Sequence, residues 1–164
     1  MNWKEELLRA REQWYLKKSQ GARDFGVPVP KRYRDDSSND LLRSVYDWLK
    51  FNNCYVNRVN VQGQVRIEKV PLANGLVREL VSWTRGTTNK GSSDLISLIN
   101  NRFVAIEIKC KTTRDRIRSD QLKEKKRVEA SGGIYLIVTD MSMFLEWYKL
   151  FLVNNKNHQN YGIA

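Results

Sequence analysis

Three ionisable residues in the middle of the chain, Asp94, Glu107 and Lys109, have the types and spacing to hold a divalent cation beside a phosphate. They belong to GSSDLISLINNRFVAIEIK, residues 91–109, in which the apolar runs 95–99 and 103–108 flank Asn100-Asn101. Asn tolerates the left-handed backbone that a two-residue hairpin turn requires, so the stretch reads as a β-hairpin. With the turn at that pair, Ile99 faces Arg102, Leu98 faces Phe103, and Asp94 falls opposite Glu107. Cross-strand partners have Cβ atoms about 4.5–5.5 Å apart, and like charges set there are destabilising. The pairing becomes sensible if a cation sits between the acids. Mg²⁺ takes carboxylate oxygens at about 2.0–2.1 Å and otherwise keeps water or a substrate phosphate. Lys109, two positions beyond Glu107, shares its face about 6–7 Å further along the strand, where an ammonium can hold a phosphate or the attacking water.

The faces of the hairpin indicate where it lies. One carries Leu95, Ile99, Val104, Ile106 and Ile108; the other carries Ile96, Leu98, Phe103 and Ala105 together with the acids. Strands apolar on both faces belong in a helix-covered sheet. The acids are therefore expected to emerge from a rigid floor. The fold class is accordingly α/β, a central mixed β-sheet flanked by helices.

Gly91-Ser-Ser-Asp94, a short apolar strand, a tight turn and Val104-Ala-Ile-Glu107-Ile-Lys109 together resemble the core of the PD-(D/E)XK nuclease superfamily, and more narrowly the VRR-NUC family. An acid followed at a distance by E-x-K is a weak pattern alone. It is strengthened by the glycine three residues before Asp94, by the apolar strands on both sides, and by the segments that follow. The resemblance covers residues 40–150. It implies a restriction-endonuclease-like core and a metal-dependent endonuclease that hydrolyses DNA phosphodiester bonds. Asp94, Glu107 and the Ile108 backbone carbonyl would hold Mg²⁺ or Mn²⁺, and Lys109 would position the water or help deprotonate it.

Composition agrees with a nucleic-acid partner. The 164 residues carry a formal charge of +11, beyond what solubility needs, so a polyanion is expected: nucleic acid first, an anionic membrane surface second. No apolar run approaches the roughly 20 residues of a spanning helix, and MNWKEELLRAR lacks a signal-peptide core, so no membrane association and a cytoplasmic location are expected. The single histidine, His158, excludes a His-rich zinc site, an HNH-type nuclease and a Ser-His-Asp triad. Cys54 and Cys110 define no disulfide framework and read as buried free thiols.

The elements that must position these groups follow in order. Residues 2–18 have Trp3, Leu7, Ala10 and Trp14 at helical spacing, with Lys4, Glu5, Arg9, Arg11 and Glu12 opposite. This helix either packs on the domain or on a second subunit, or faces DNA. Gly21, Gly26, Pro28 and Pro30 break the period, so residues 19–37 read as a linker, basic at Lys31-Arg-Tyr-Arg34. A second helix opens at Ser38-Asn39-Asp40, with Leu41, Leu42, Val45, Trp48 and Leu49 as its buried stripe. Asp40 is either a cap or, by the resemblance, an acid reaching the metal, where the family usually has Glu.

Residues 54–61 read as a strand with Arg58 and Asn60 on one side, an Arg-x-Asn similar to the VRR-NUC arrangement; Arg58 touches a phosphate or pairs with a carboxylate. Residues 64–70 form a further strand, and 76–83 a strand or a short helix. The loop 84–93, with Arg85 and Lys90, feeds into Asp94, and its glycines let a nucleic-acid backbone approach. Lys111, Arg114, Arg116 and Arg118 continue from the strand of Glu107 and Lys109, within reach of a phosphate held there. A helix follows over 119–131, capped by Ser119; by the resemblance, Gln121 in its first turn points back to the active centre. Gly132-Gly133 stops that helix, and 134–138 is a buried strand closing a parallel βαβ unit. A last helix over 142–152 precedes a frayed tail.

Three units are thus expected: 1–38, an N-terminal helix and basic linker; 39–153, the nuclease-like domain; and 154–164, a flexible tail. Some members of the resembled family, including small phage- and virus-type ones, resolve four-way DNA junctions as symmetric dimers. The resemblance therefore implies branched DNA as substrate and a homodimer. The alternatives are a catalytically silent DNA-binding module on the same fold, a flap or single-strand nuclease, and an interaction protein docking through its aromatic first helix.

Overall fold

The computed structural model describes residues 2–30, 32–59, 64–71, 76–84, 91–113 and 115–159, with backbone only at 64–66, 83–84 and 156–159. Its centre is the expected hairpin, β4 (Leu95–Ile99) and β5 (Arg102–Ile108). Asn100 and Asn101 both adopt positive φ, 47° and 63°, as a type I′ turn demands. Leu98 pairs with Phe103 and Leu95 with Ile106, the register that the turn dictates.

Around this pair stands a four-stranded mixed sheet in the order β1-β4-β5-β6, with β1 (Tyr55–Arg58) antiparallel to β4 and β6 (Ile134–Val138) parallel to β5. The parallel pair is bridged by helix α4 (Ser119–Ala130), the crossover that such a pair needs. Strands β2 (Gln64–Pro71) and β3 (Val77–Thr84) form a separate antiparallel hairpin, resolving 76–83 in favour of strand.

The inner face of the sheet is covered by α3 (Ser38–Phe51) and α5 (Met141–Gln159). The Ser37 hydroxyl caps α3 by accepting the Asp40 N–H, and the stripe Leu41, Leu42, Val45, Trp48 and Leu49 is buried as the 3.6-residue period requires. Leu95, Ile99, Val104 and Ile106 meet it from the sheet with no exposed surface. Each such side chain contributes about 1.5–3 kcal/mol through burial. Helix α5 brings Met141, Phe144, Leu145 and Tyr148 into the same core. The outer face is different: Gln121 of α4 reaches over Glu107, and Ala105 is buried, but Leu98 and Phe103 are half exposed, so among the described residues the sheet is covered only in part.

Helix α1 (Trp3–Lys18) packs on α3 and α5, and Leu7 is fully buried in the common core, so of the placements expected for it the helix takes the one on the domain itself. Other sequence expectations are corrected. Arg11, expected on a solvated face, is buried; its guanidinium donates to the Pro28 carbonyl at 2.6 Å and lies over the Tyr15 ring. The linker contains a short helix, α2 (Gln20–Phe25), because the Ser19 hydroxyl caps the Ala22 N–H and Gly26, at φ 91°, ends the turn. Of the strand expected over 54–61, Tyr55–Arg58 is ladder-paired among the described residues, while 60 and 61 lie outside them. The last helix runs on to Gln159, beyond the expected end at 152, and Asp140 caps its start by accepting the Met143 N–H at 2.9 Å. The thiols are free, Cys110 buried and Cys54 half-buried. No helix among the described residues is long and apolar enough to cross a membrane.

Candidate active site

Asp94 stands just before β4, at the end of the sheet where β1, β4 and β5 meet. Its backbone carbonyl accepts the Val59 N–H at 2.9 Å, and its Oδ2 accepts the Ile108 N–H at 2.9 Å. A side chain thus takes over the ladder where the backbone pairing of β4 and β5 stops. The segment reaches this position through Gly91, whose φ is +86°. A Cβ on Gly91 would lie 2.4 Å from the Asp120 carbonyl oxygen, so only glycine lets this loop pass so close to the start of α4.

Glu107 projects from β5 on the same face as Asp94 and is 3% exposed. Both of its carboxylate oxygens are held. Gln121 Nε2 donates to Oε1, Lys109 Nζ lies 3.2 Å from the same oxygen, and the Tyr135 hydroxyl donates to Oε2 at 3.4 Å. Gln121 is fixed from both ends of its amide, since its Oε1 accepts the Arg118 N–H at 2.9 Å. That bond also caps α4, so the cap is Arg118 with Gln121 as the reciprocal partner, and Ser119 is the first helical residue. Helix capping and carboxylate positioning are therefore performed by one side chain.

Lys109, 7% exposed, lies between two acids: Asp115 Oδ2 at 2.9 Å on one side and Glu107 on the other. Burial alone would pull its pKa down. The hydrogen bonds to Asp115 and Glu107 outweigh that, and the net direction is upward, so the ammonium persists at neutral pH. Glu107 moves the other way for a carboxylate. Burial first and the Asp94 charge second push it up to about 7, against the pull of Lys109 and Tyr135. Tyr135 is raised as well, by burial and then by the charge of Glu107. Two acids on one face of a buried floor thus create a demand for positive charge that one shared lysine does not meet.

These groups line a cleft of about 590 Å³. Of the residues singled out from sequence, Asp94, Glu107, Ile108, Lys109, Gln121, Arg58 and Arg118 line it together. Asp40 does not: its carboxylate is taken by Arg43 at 3.2 Å and by the Ser37 hydroxyl at 2.8 Å, and the residues that α3 presents to the cleft are Ser38, Asn39 and Leu42. Its proposed reach to a metal is thereby corrected; one residue along, the helix turns that side chain away. Lys111 is paired with Asp140 at 2.9 Å and is not among the lining residues, and Arg116 is exposed outside the cleft. Asn60, Arg85, Lys90 and Arg114 lie outside the described residues.

Two contributors escaped the sequence reading. Asp115 is the sole acid in the basic run 111–118, a signal that could have marked it. Tyr135 had none, because its approach to Glu107 depends on the stagger of β6 against β5.

A metal ion suits this donor set within limits. Among the described residues no cluster of three or more His, Cys, Asp or Glu side chains forms a ready cage. A hard cation that takes one or two carboxylates and completes its sphere with backbone oxygen, water and phosphate matches Asp94, Glu107 and the Ile108 backbone lining the cleft. No protein-family model matches the chain, and no curated protein matches it significantly.

Proposed function

We propose that this chain is a metal-dependent endonuclease that hydrolyses DNA phosphodiester bonds on a PD-(D/E)XK core of VRR-NUC type, acting on branched DNA in the cytoplasm as a homodimer. One observation carries the reading: Asp94, bonded to the Ile108 N–H just beyond the last ladder pair, and Glu107 line one cleft together with Lys109 and Gln121, both of which contact Glu107. The net charge of +11 supports a polyanionic substrate.

Asp94, Glu107 and the Ile108 carbonyl are the groups that would hold Mg²⁺ or Mn²⁺. When bound, such an ion lowers the pKa of a coordinated water and offsets charge developing on the phosphate. The protein's own residues do the positioning. Gln121 and Tyr135 fix the Glu107 carboxylate from two sides, which keeps its oxygens from rotating away from Asp94. Lys109, held between Glu107 and Asp115, orients the nucleophilic water or a phosphate oxygen, or helps deprotonate that water. Arg58 and Arg118 line the same cleft and neutralise the flanking phosphates.

The test is a panel of duplex, flap, splayed and four-way DNA incubated with and without Mg²⁺. Metal-dependent cleavage of branched forms is expected. Binding without cleavage on every substrate would favour the silent DNA-binding module instead.

A further inference from the structure

The outer face of the sheet carries a row of apolar side chains that the proposed chemistry does not use. Tyr55 pairs with Leu98 and Leu98 with Phe103, so the three lie side by side across β1, β4 and β5. They are 57%, 48% and 42% exposed, whereas Ser97, Ile99 and Val104 on the opposite face are buried. Three strands at about 4.8 Å spacing give a platform about 10 Å across. Gly133 makes room for the Phe103 ring: a Cβ there would come within 3.0 Å of it.

This row shares its face with the acids. Side chains four apart on a strand point the same way, so Phe103 lies about 13 Å from Glu107, and Leu98 as far from Asp94. Between them on β1 and β4, Asn57 is exposed and Ile96 half-buried among the described residues. A cation stands at the far end: Arg127 lines the notch beside the Phe103 ring.

We infer that Tyr55, Leu98 and Phe103 form a stacking platform for unpaired bases of a nucleic-acid strand whose backbone runs into the Asp94–Glu107 cleft. The inference rests on the nuclease reading for its direction, and it narrows the substrate to one with a single-stranded arm next to the cleaved bond. An intact duplex hides the faces of its bases and presents sugar and phosphate, to which aromatic rings on a flat sheet offer little. Unpaired bases stack on such rings whatever their sequence. The strong positive charge of the chain complements the phosphates, and the platform lies on the same face of the same strands as the cleft acids, which favours a nucleic-acid strand over a protein partner.

The experiment needs no cleavage. A duplex with a short single-stranded arm carrying 2-aminopurine is titrated with wild-type protein in EDTA, alongside Phe103→Leu, Tyr55→Leu and Phe103→Trp. Wild type and Phe103→Trp should quench the fluorophore. The leucine variants keep the apolar surface and lose the ring, so each should bind the armed duplex about five- to a hundredfold more weakly while binding blunt duplex equally well. Unchanged affinity and quenching in both leucine variants overturn the platform. So does a loss of self-association or of mass on sedimentation with DNA binding intact, since that marks the row as a protein interface. Quenching without Mg²⁺-dependent cleavage supports the platform and removes the nuclease reading; cleavage without quenching does the reverse.

Discussion

Replacing Glu107 by glutamine should make the metal-free protein more stable while abolishing its activity. The carboxyl titrates at 4.5 in a free glutamate and is pushed up to about 7 here, by burial and by Asp94. Each pH unit of displacement corresponds to about 1.4 kcal/mol, so charging Glu107 in the folded state costs about 3 kcal/mol before screening. Water in the open cleft and the neighbouring Lys109 reduce this, and a gain of about 1–2 kcal/mol for Glu107→Gln is expected. The sign follows from proton counting. Between about pH 4.5 and 7 the folded chain holds more protons at this site than the unfolded one, so wild-type stability falls as pH rises through that window. The advantage of the glutamine variant should thus be absent near pH 4 and complete near pH 8. Urea unfolding in EDTA reads it as a midpoint rise of about 0.5–1 M at the higher pH. Mg²⁺ should then stabilise wild type and leave the variant unmoved. A variant less stable than wild type at pH 8, or a difference of the same size at both pH values, would refute the claim that this carboxylate is held charged at a cost.

Gly91→Ala places a methyl group against the Asp120 backbone at a positive φ, and should cost about 1–3 kcal/mol by thermal unfolding while lowering cleavage through displacement of Gln121. Leu7→Ala opens the common core and should cost about 2–5 kcal/mol in a denaturant titration, whereas an appended arm would lose almost nothing. Asp40→Ala removes a capping partner and no cleft residue; helix stability should drop by about 0.5–1 kcal/mol, with cleavage rates unchanged within error.

How much of this was readable from the chain depends on how local each determinant is. The hairpin register was, because two asparagines in left-handed conformation leave a single two-residue turn and alternation then fixes every partner down to Asp94 and Glu107. The buried stripe of α3 was, for the same reason at period 3.6. Asp40 stayed open between cap and metal acid because a helix start names its first-turn residues without saying which of them lines the cleft; Ser38 and Asn39 do. Helix α2 was missed because Gly21 within it and Gly26, Pro28 and Pro30 after it outweighed one serine cap. Tyr135 and the double use of Gln121 belong to tertiary structure: both depend on how far the crossover helix shifts β6 along β5, and no residue of either strand encodes that distance.

The most direct measurement is the cleavage of a four-way or splayed DNA by wild type, Asp94→Ala, Glu107→Gln and Lys109→Met, each with Mg²⁺ and with EDTA, with DNA affinity measured in parallel. Wild type should cleave only with the metal, and each variant should lose at least about a hundredfold in rate while its DNA affinity stays within a few-fold of wild type. Cleavage that persists in EDTA, or that survives removal of either acid, would contradict a reaction centred where β4 and β5 bring those carboxylates together.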